Sequence, residues 1–274
     1  MSWEKEVSEL LRRRELAKKM GGPEGIARQH ARGKLTVRKR IDALADPGSF
    51  RETMALTGSA SYDGDDLRSF TPKPSVDGTI ELNGRKVVVS GGDFTVRGGS
   101  AGAHGGLGQE LAPNVRAREW RIPYVRLLDA AGGSVRSFED IGRTYLPDGN
   151  IWSAIDVAAL SEVPTVSAVM GSVAGLPAIN ACFAHFNLMV KDTSQLFPGG
   201  PPEVKASLGY DITKEELGGD RIHTRVSGCI DNLARDEQHA FEMIRAFLSY
   251  LPSNVWESAP RGDTSDPVER ADEG

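Results

Sequence analysis

The chain has 274 residues, of which 39% are hydrophobic and 26% charged, a balance typical of a globular protein. The formal net charge of −5 argues against a nucleic-acid-binding protein, and no apolar stretch reaches the length of a membrane span. The sequence has two cysteines, Cys182 and Cys229, and this number excludes both a disulfide framework and a four-cysteine zinc site. We expect both to be ordinary buried thiols of a cytoplasmic protein.

The first 50 residues are predicted to form a helical extension. Apolar residues spaced among charges over residues 1–20 predict an amphipathic helix, and the Gly-Gly-Pro sequence of residues 21–23 ends it. A basic segment, residues 30–40, leads into a short helix that ends near Asp46.

The clearest local motif is a β-hairpin. Two strand-like segments, Thr79–Leu82 and Lys86–Ser90, flank Asn83 and Gly84, which favour a two-residue type I′ turn. Before the hairpin, a strand-like start after residue 51 gives way to a polar stretch around Tyr62.

From residue 124 onward, buried strands alternate with helices, which predicts an α/β domain over residues 51–256. Thr213 and Glu216 form a capping box at the start of a short helix, and residues 257–274 have the composition of a linker or a cut end. The predicted strands are 124–128, 165–170 and 186–190, and the predicted helices are 150–161, 177–184 and one from about 236 to 252.

Two predicted strands are each followed by a glycine-containing turn. Gly132 and Gly133 follow the first strand, and the second strand ends at Gly171, with Gly175 shortly before a helix that starts at Pro177. Glycine permits close backbone approach, so two such turns facing each other would aim N–H groups at one thioester oxygen, as in an oxyanion hole. The alternative is that both are simply tight turns between strands and helices.

A glycine-rich run covers residues 98–108. It is a weak candidate for a phosphate cradle, because it lacks the GK[ST] ending of a P-loop and the placement of a dinucleotide-binding fingerprint. His104, within this run, is either a structural histidine or a residue that orients part of a ligand.

Longer blocks resemble the beta subunits of propionyl-CoA-type carboxylases, and they occur in the order found in that family over residues 25–255. The blocks are His30 to Phe50 (HARGKLTVRKRIDALADPGSF), Asp93 to His104 (DFTVRGGSAGAH), Val190 to Phe197 (VKDTSQLF), Gly200 to Lys205 (GPPEVK), Ile212 to Gly219 (ITKEELGG) and His223 to Gly228 (HTRVSG).

The resemblance implies an α/β, crotonase-like (ClpP/crotonase) superhelix of stacked β-β-α turns with a helical N-terminal extension. It also implies transfer of a carboxyl group from carboxybiotin, carried by a partner domain, to the α-carbon of an acyl-CoA. The implied partners are a biotin carboxyl carrier, a biotin carboxylase and a second carboxyltransferase domain, in a homo- or hetero-oligomer. This chain is similar only to the amino-terminal half of such enzymes.

The resemblance also implies site residues, and no metal is expected among them. The backbone groups that would stabilise the enolate are those of Gly133, Ser134, Ala174 and Gly175. The substrate-binding candidates are Gly132, Leu176, Phe197, Gly199, Gly200, Arg32, Lys34 and His104. For the two basic residues a solvated or salt-bridged surface is the alternative, and for the 197–200 loop a plain turn.

The chain departs from the family pattern after both turns, at residues 134–138 (SVRSF) and at Leu176-Pro177. These departures leave rival functions open. A biotin-dependent decarboxylase subunit would use the same site in reverse, and a CoA-binding or scaffold subunit would have a dead site. A biotin-independent hydratase or isomerase is less favoured, because Glu139 and Asp140 alone are a thin basis for acid–base chemistry.

Overall fold

A computed structural model describes residues 3–100, 107–133, 142, 149–262, 265, 267 and 269–271, without side-chain detail at 107–111 and 149–153. The helices are α1 (Glu4–Lys18), α2 (Gly22–Ala31), α3 (Val37–Leu44), α4 (Leu107–Trp120), α5 (Gly149–Glu162), α6 (Leu176–Cys182), α7 (Pro201–Leu208), α8 (Lys214–Gly218) and α9 (Glu237–Ser249). The strands are β1 (Arg51–Thr53), β2 (Gly58–Asp63), β3 (Asp66–Pro72), β4 (Ser75–Leu82), β5 (Arg85–Gly92), β6 (Tyr124–Ala130), β7 (Thr165–Ala174), β8 (Phe186–Val190), β9 (Gln195–Phe197) and β10 (Asn232–Ala234).

Eight of the described strands form one mixed sheet in the order β1-β4-β5-β6-β7-β8-β10, with β9 paired to the end of β7. The pairs from β5 to β8, and the β8–β10 pair, are parallel, whereas β1, β4 and β5 are antiparallel neighbours. Because β6 and β7 are parallel neighbours, both strands end at the same edge of the sheet.

Helices cover both faces of the sheet. Along β7, Val166, Ala168 and Met170 pack towards α3 and α9, whereas Val169 and Val173 pack towards α6. This alternation of fully buried side chains is what a strand covered on both sides requires. The apolar face of α3 belongs to the main core, so this part of the N-terminal extension is packed into the sheet domain.

Most predicted elements are confirmed, with local corrections. Asn83 (φ 54°) and Gly84 (φ 76°) take the left-handed conformation that a type I′ turn requires. The capping box at Thr213 and Glu216 is present, and Asp236 caps α9.

The first helix ends at Lys18, before the Gly-Gly-Pro sequence, as predicted, and Pro23 then lies in the first turn of α2, where proline has no N–H to lose. The polar stretch around Tyr62, for which the sequence predicts no element, is a β-hairpin of β2 with β3. One predicted boundary is wrong. β7 continues through Gly171 to Ala174 because its last residues pair with β9.

None of the helices in the described ranges is long and apolar enough to cross a membrane.

Candidate active site

The turns that follow β6 and β7 touch each other. A Cβ atom added to Gly132 would lie 2.8 Å from the carbonyl oxygen of Ala174 and 3.6 Å from the Cα of Gly175. Gly132 also has a φ of +84°, so both its conformation and its neighbour favour glycine. The expected meeting of the two turns is therefore confirmed on the Gly132 side.

The start of the glycine-rich run supports the first turn. The Ala131 amide donates to the Gly98 carbonyl (2.9 Å), and the Ser100 hydroxyl donates to the Gly132 carbonyl (2.8 Å). These contacts give residues 98–100 a structural role beside the turn. Residues 101–106, and with them His104, lie outside the described residues, as does Ser134.

Asp129, three residues before Gly132, is fully buried at the end of β6. Its carboxylate accepts hydrogen bonds from Gln29 Nε2 (3.0 Å), Lys34 Nζ (2.9 and 3.0 Å) and Arg40 Nη1 (2.9 Å). Arg40, also fully buried, donates further to Glu237 Oε1 and to the Met170 carbonyl. We call these five residues, Gln29, Lys34, Arg40, Asp129 and Glu237, the buried ionic network.

The buried ionic network leaves no room for a side chain at Gly171. A Cβ atom there would lie 2.0 Å from Asp129 Oδ1 and 2.6 Å from Lys34 Nζ. This close approach explains why residue 171 is a glycine, a residue that the sequence analysis attributed to the end of a strand. The network thus joins α2, α3, β6, β7 and the start of α9 directly behind the two turns.

Lys34 is consequently not free to meet a substrate phosphate. Only 5% of its side chain is exposed, its Nζ is held by Asp129, and burial lowers the pKa of its ammonium group despite the opposing effect of Asp129. Its prediction as a substrate contact is wrong for this structure. Arg32 is exposed, with its guanidinium 5.7 Å from the centre of the Phe94 ring.

The second turn is fixed mainly by main-chain hydrogen bonds. The Gly175 amide donates to the carbonyls of Phe197 (3.2 Å) and Pro198 (3.0 Å). Gly175 is therefore not a free donor, contrary to the sequence-based expectation. Ala174 pairs in register with Phe197 at the end of the β7–β9 ladder.

The start of α6 supplies a different amide. Ala178 and Ile179 donate to the Gly175 carbonyl, and Pro177 has no N–H. Leu176 is the first helical residue, a position whose N–H has no intrahelical acceptor, and no acceptor for it is found among the described residues. Leu176 is half-buried.

The loop predicted as a channel wall does adjoin the second turn. Phe197 is buried and, with Pro198, accepts from Gly175 as described above. Gly200 is buried and caps α7, and a Cβ atom added to it would lie 3.4 Å from the Phe197 ring. Gly199 is half-buried in the same loop.

The two cysteines differ from the expectation of buried, separate thiols. Cys182 is exposed and Cys229 is partly exposed. Although 47 positions separate them in the sequence, the Cys229 thiol contributes, after burial, to a raised pKa of the Cys182 thiol. Cys229 also packs against the core cluster that contains Ala178 and Ala181 of α6, so the two cysteines lie on neighbouring segments. In the part of the chain that the structure describes, no group of three or more potential ligands is arranged to hold a metal ion.

Comparison with known proteins gives a family. The model of the family described as "Carboxyl transferase domain" matches residues 28–274. The chain belongs to this carboxyl transferase family. Its α/β architecture is the crotonase-like fold of the carboxyltransferases.

Two curated relatives and one solved structure illustrate the similarity. The propionyl-CoA carboxylase carboxyltransferase subunit of Haloferax mediterranei is 36% identical, and the match covers 100% of this chain and 52% of that protein. The methylmalonyl-CoA decarboxylase subunit alpha of Veillonella parvula is 34% identical over 92% of this chain and 49% of its own length. A hexameric transcarboxylase 12S crystal structure with bound methylmalonyl-CoA is 28% identical, with a TM-score of 0.78, and the match covers 95% of this chain and 50% of that one.

This carboxyl transferase chain thus spans about half the length of the curated relatives it matches. The buried ionic network and the role of Ser100 are the parts of the candidate site that the sequence analysis missed. Lys34 and Arg40 were visible as part of a basic segment, but nothing in the sequence places Asp129 or Glu237 opposite them.

Proposed function

We propose that the chain is the acyl-CoA-binding half of a biotin-dependent carboxyltransferase site. The observation that carries the proposal is the contact between the Gly132 turn and the Ala174–Gly175 turn, at the shared edge of β6 and β7. Backbone lines the place where these turns meet, because a side chain at Gly132 would fill it. Such a place suits a thioester oxygen that needs amide donors rather than a side-chain triad.

Within this site, each part of the chain has a proposed task. The backbone around Gly133 and Ser134 on one side, with the Leu176 amide on the other, stabilises the thioester oxygen as negative charge develops on it. Ala174 and Gly175 shape the second side, and the Gly175 amide holds the Phe197 loop in place. Loss of one donor to such an oxygen typically costs about 3–4 kcal/mol of transition-state stabilisation.

The remaining candidates form the rest of the proposed acyl-CoA site. Gly132, Phe197, Gly199 and Gly200 line the acyl path, and Arg32 is the proposed contact for a CoA phosphate. His104 is retained as a candidate that orients part of the ligand. Carboxybiotin, carried by a partner, supplies the carboxyl group when it is bound.

The proposed assembly is supported by the similarity to carboxylase subunits of about twice this length. A second carboxyltransferase domain, a biotin carboxyl carrier and a biotin carboxylase would complete the enzyme, in an oligomer and in the cytoplasm. We propose residues 1–50 as a helical extension, 51–256 as the crotonase-like domain and 257–274 as a linker or a cut end. The propionyl-CoA carboxylase and decarboxylase relatives are almost equally similar to this chain, so the direction of transfer requires an experiment.

Label transfer tests the proposal. Methylmalonyl-CoA labelled in its free carboxyl group is mixed with the protein in its native complex and with a biotinylated carrier. We expect label on the carrier, and none on a carrier whose biotin-accepting lysine is replaced by arginine. In the forward direction, labelled bicarbonate, ATP and biotin carboxylase should place label in the acyl-CoA.

Calorimetry with propionyl-CoA and methylmalonyl-CoA measures binding separately. It distinguishes a protein that fails to bind the thioester from one that binds it but fails to transfer the carboxyl group. Binding without any transfer, in a complex that contains all partners, would support a CoA-binding subunit and contradict the transferase proposal. No binding of either thioester would contradict the acyl-CoA site itself.

A further inference from the structure

A thiol and an imidazole lie in contact beside β9, next to a second thiol. Cys229 Sγ is 3.0 Å from His223 Nδ1, and His223 Nε2 is 2.6 Å from the Leu196 carbonyl oxygen. A carbonyl oxygen only accepts hydrogen bonds, so Nε2 carries a proton in this network and Nδ1 is the acceptor for the Cys229 thiol. The imidazole is therefore oriented to take the thiol proton.

Neighbouring groups hold this arrangement. Ser227 Oγ lies 3.1 Å from His223 Nδ1 and 3.3 Å from Cys229 Sγ. The Cys229 carbonyl accepts from the side-chain amide of Asn187, which fixes the backbone beside the thiol. Both ring nitrogens of His223 are thus engaged, one with a main-chain oxygen and one with the Cys229–Ser227 pair.

The second thiol comes from the end of α6. Cys182 is exposed, so a small oxidant has access, and its thiol also contacts the Ala178 carbonyl (3.6 Å). Cys229 packs against the core cluster that contains Ala178 and Ala181 of α6, the helix that ends at Cys182, and the Cys229 thiol contributes, after burial, to a raised pKa of the Cys182 thiol. Because His223 contacts the Cys229 thiol, Cys229 reacts in the first step and Cys182 in the second.

We propose that Cys229 and Cys182 form a redox-active thiol pair, with His223 as its base, that a low-molecular-weight disulfide oxidises to an intramolecular disulfide. In the first step the Cys229 proton passes to His223 Nδ1, and the thiolate attacks one sulfur of the small disulfide and releases one thiolate, which takes up that proton. In the second step the Cys182 sulfur attacks the mixed disulfide at Cys229, loses its proton and releases the second small thiol. Two protein thiols are oxidised and one small disulfide is reduced to two thiols.

The position of the pair gives the reaction a consequence. Leu196, which accepts from His223, precedes Phe197, whose carbonyl holds the Gly175 amide, and α6 runs from the second turn to Cys182. A disulfide between Cys182 and Cys229 would therefore strain both segments that hold the second turn, namely the end of β9 and α6. This consequence depends on the proposed function, whereas the disulfide chemistry does not.

The test uses the reduced full-length protein, treated with oxidised glutathione and then with an alkylating agent. Intact-mass and peptide analysis should show the loss of two hydrogen atoms and one peptide joined through Cys182 and Cys229. The variant Cys182→Ser should stop at a glutathione adduct on Cys229, and Cys229→Ser should form no bridge. His223→Gln should slow the formation of that adduct by about tenfold or more in the Cys182→Ser background, whereas the surface variant His30→Gln should not change it.

Each other outcome overturns the proposal. Two separate adducts without a bridge, or a bridge between two copies of the chain, would show that the thiols do not form a pair. Reaction of Cys229 at the rate seen in the urea-unfolded protein would remove the role of His223, and this comparison needs no variant. A change in acyl-CoA affinity upon bridging, measured afterwards, tests only the link to the proposed function.

Discussion

The turn after β6 and the turn after β7 meet at one place, but they are supported in different ways. The first depends on residues remote in the sequence, since Asp129 holds Gln29, Lys34 and Arg40, and Ser100 holds the Gly132 carbonyl. The second depends on local main chain, since Gly175 donates to the carbonyls at the end of β9. The comparison teaches that parallel neighbouring strands bring the turns together, whereas their rigidity comes from charge on one side and from backbone pairing on the other.

The buried ionic network, which supports the first turn, has an unfavourable desolvation free energy, and removal of one of its members is still more destabilising. Burying Arg40 and Asp129 removes both from water, and their attraction offsets this only because further donors and acceptors satisfy them. Removing one partner leaves the remaining charges buried with one counter-charge fewer. Variants of the first support should therefore have the largest effects.

Asp129→Asn is expected to have the largest effect on stability. It keeps the shape of the side chain but leaves Lys34 and Arg40 with one negative partner fewer, and the expected loss is about 3–5 kcal/mol in the free energy of unfolding. Urea denaturation measures it. Asp211→Asn, in the exposed ion pair of Asp211 with Lys205, is the control, with an expected loss below about 1 kcal/mol. Equal losses in the two variants would show that the buried ionic network contributes no more to the free energy of unfolding than a surface ion pair does.

Gly171→Ala is expected to come next. Its methyl group would enter the space of the Asp129 carboxylate, and overpacking of this kind typically costs about 1–3 kcal/mol. Thermal or urea unfolding measures the loss. Gly262→Ala, where no atom lies within 4 Å of the added carbon, should be neutral. A neutral Gly171→Ala would mean that the network sits farther from β7 than described.

Two serine variants compare the turns directly. Ser100→Ala leaves the buried Gly132 carbonyl without this donor, with an expected loss of about 0.5–1.5 kcal/mol. Ser172→Ala removes the hydroxyl that donates to Gln195 Oε1 beside the second turn, where Ser172 is only half-buried, so its effect should be smaller. Urea unfolding of both proteins ranks them, and the reverse order would contradict the assignment of the polar support to the first turn.

The smallest expected effect depends on pH and lies away from both turns. Hydrogen bonds from the Gly84 amide first, with further help from Arg245 and the Asn83 amide, hold the pKa of Asp46 below its ordinary value of 3.8. The ionised carboxylate therefore stabilises the folded chain above that pH, and this contribution disappears as pH falls through the lower, folded-state pKa. Asp46→Asn should lower the free energy of unfolding near neutral pH but not in acid. A difference that is independent of pH would be inconsistent with this origin.

The sequence predicts those features that depend on neighbouring residues. Asn83-Gly84 and the Thr213 capping box are local patterns, and the structure contains both. The family motifs add the fold. Lys34 was misassigned because a basic residue in a basic segment looks solvated, and only the fold brings Asp129, 95 positions away, to meet it.

The same reason explains the other errors at the site. Whether the Gly175 amide is free depends on where β9 ends, and whether two cysteines are neighbours depends on the packing of α6 against the segment before β10. Neither relationship leaves a trace in local spacing. The sequence pattern therefore does not predict which distant segments contact each other.

The most direct test of the central claim is calorimetry with methylmalonyl-CoA on wild-type protein, Gly132→Ala and Gly209→Ala. Both glycines have a positive φ, +84° and +82°, so both variants carry similar backbone strain, but only the carbon added at Gly132 pushes against Ala174. We expect the dissociation constant to rise by about tenfold or more, about 1.4 kcal/mol, in Gly132→Ala and to stay unchanged in Gly209→Ala. Equal affinity in all three folded proteins would contradict the claim that the acyl thioester binds where the two turns meet.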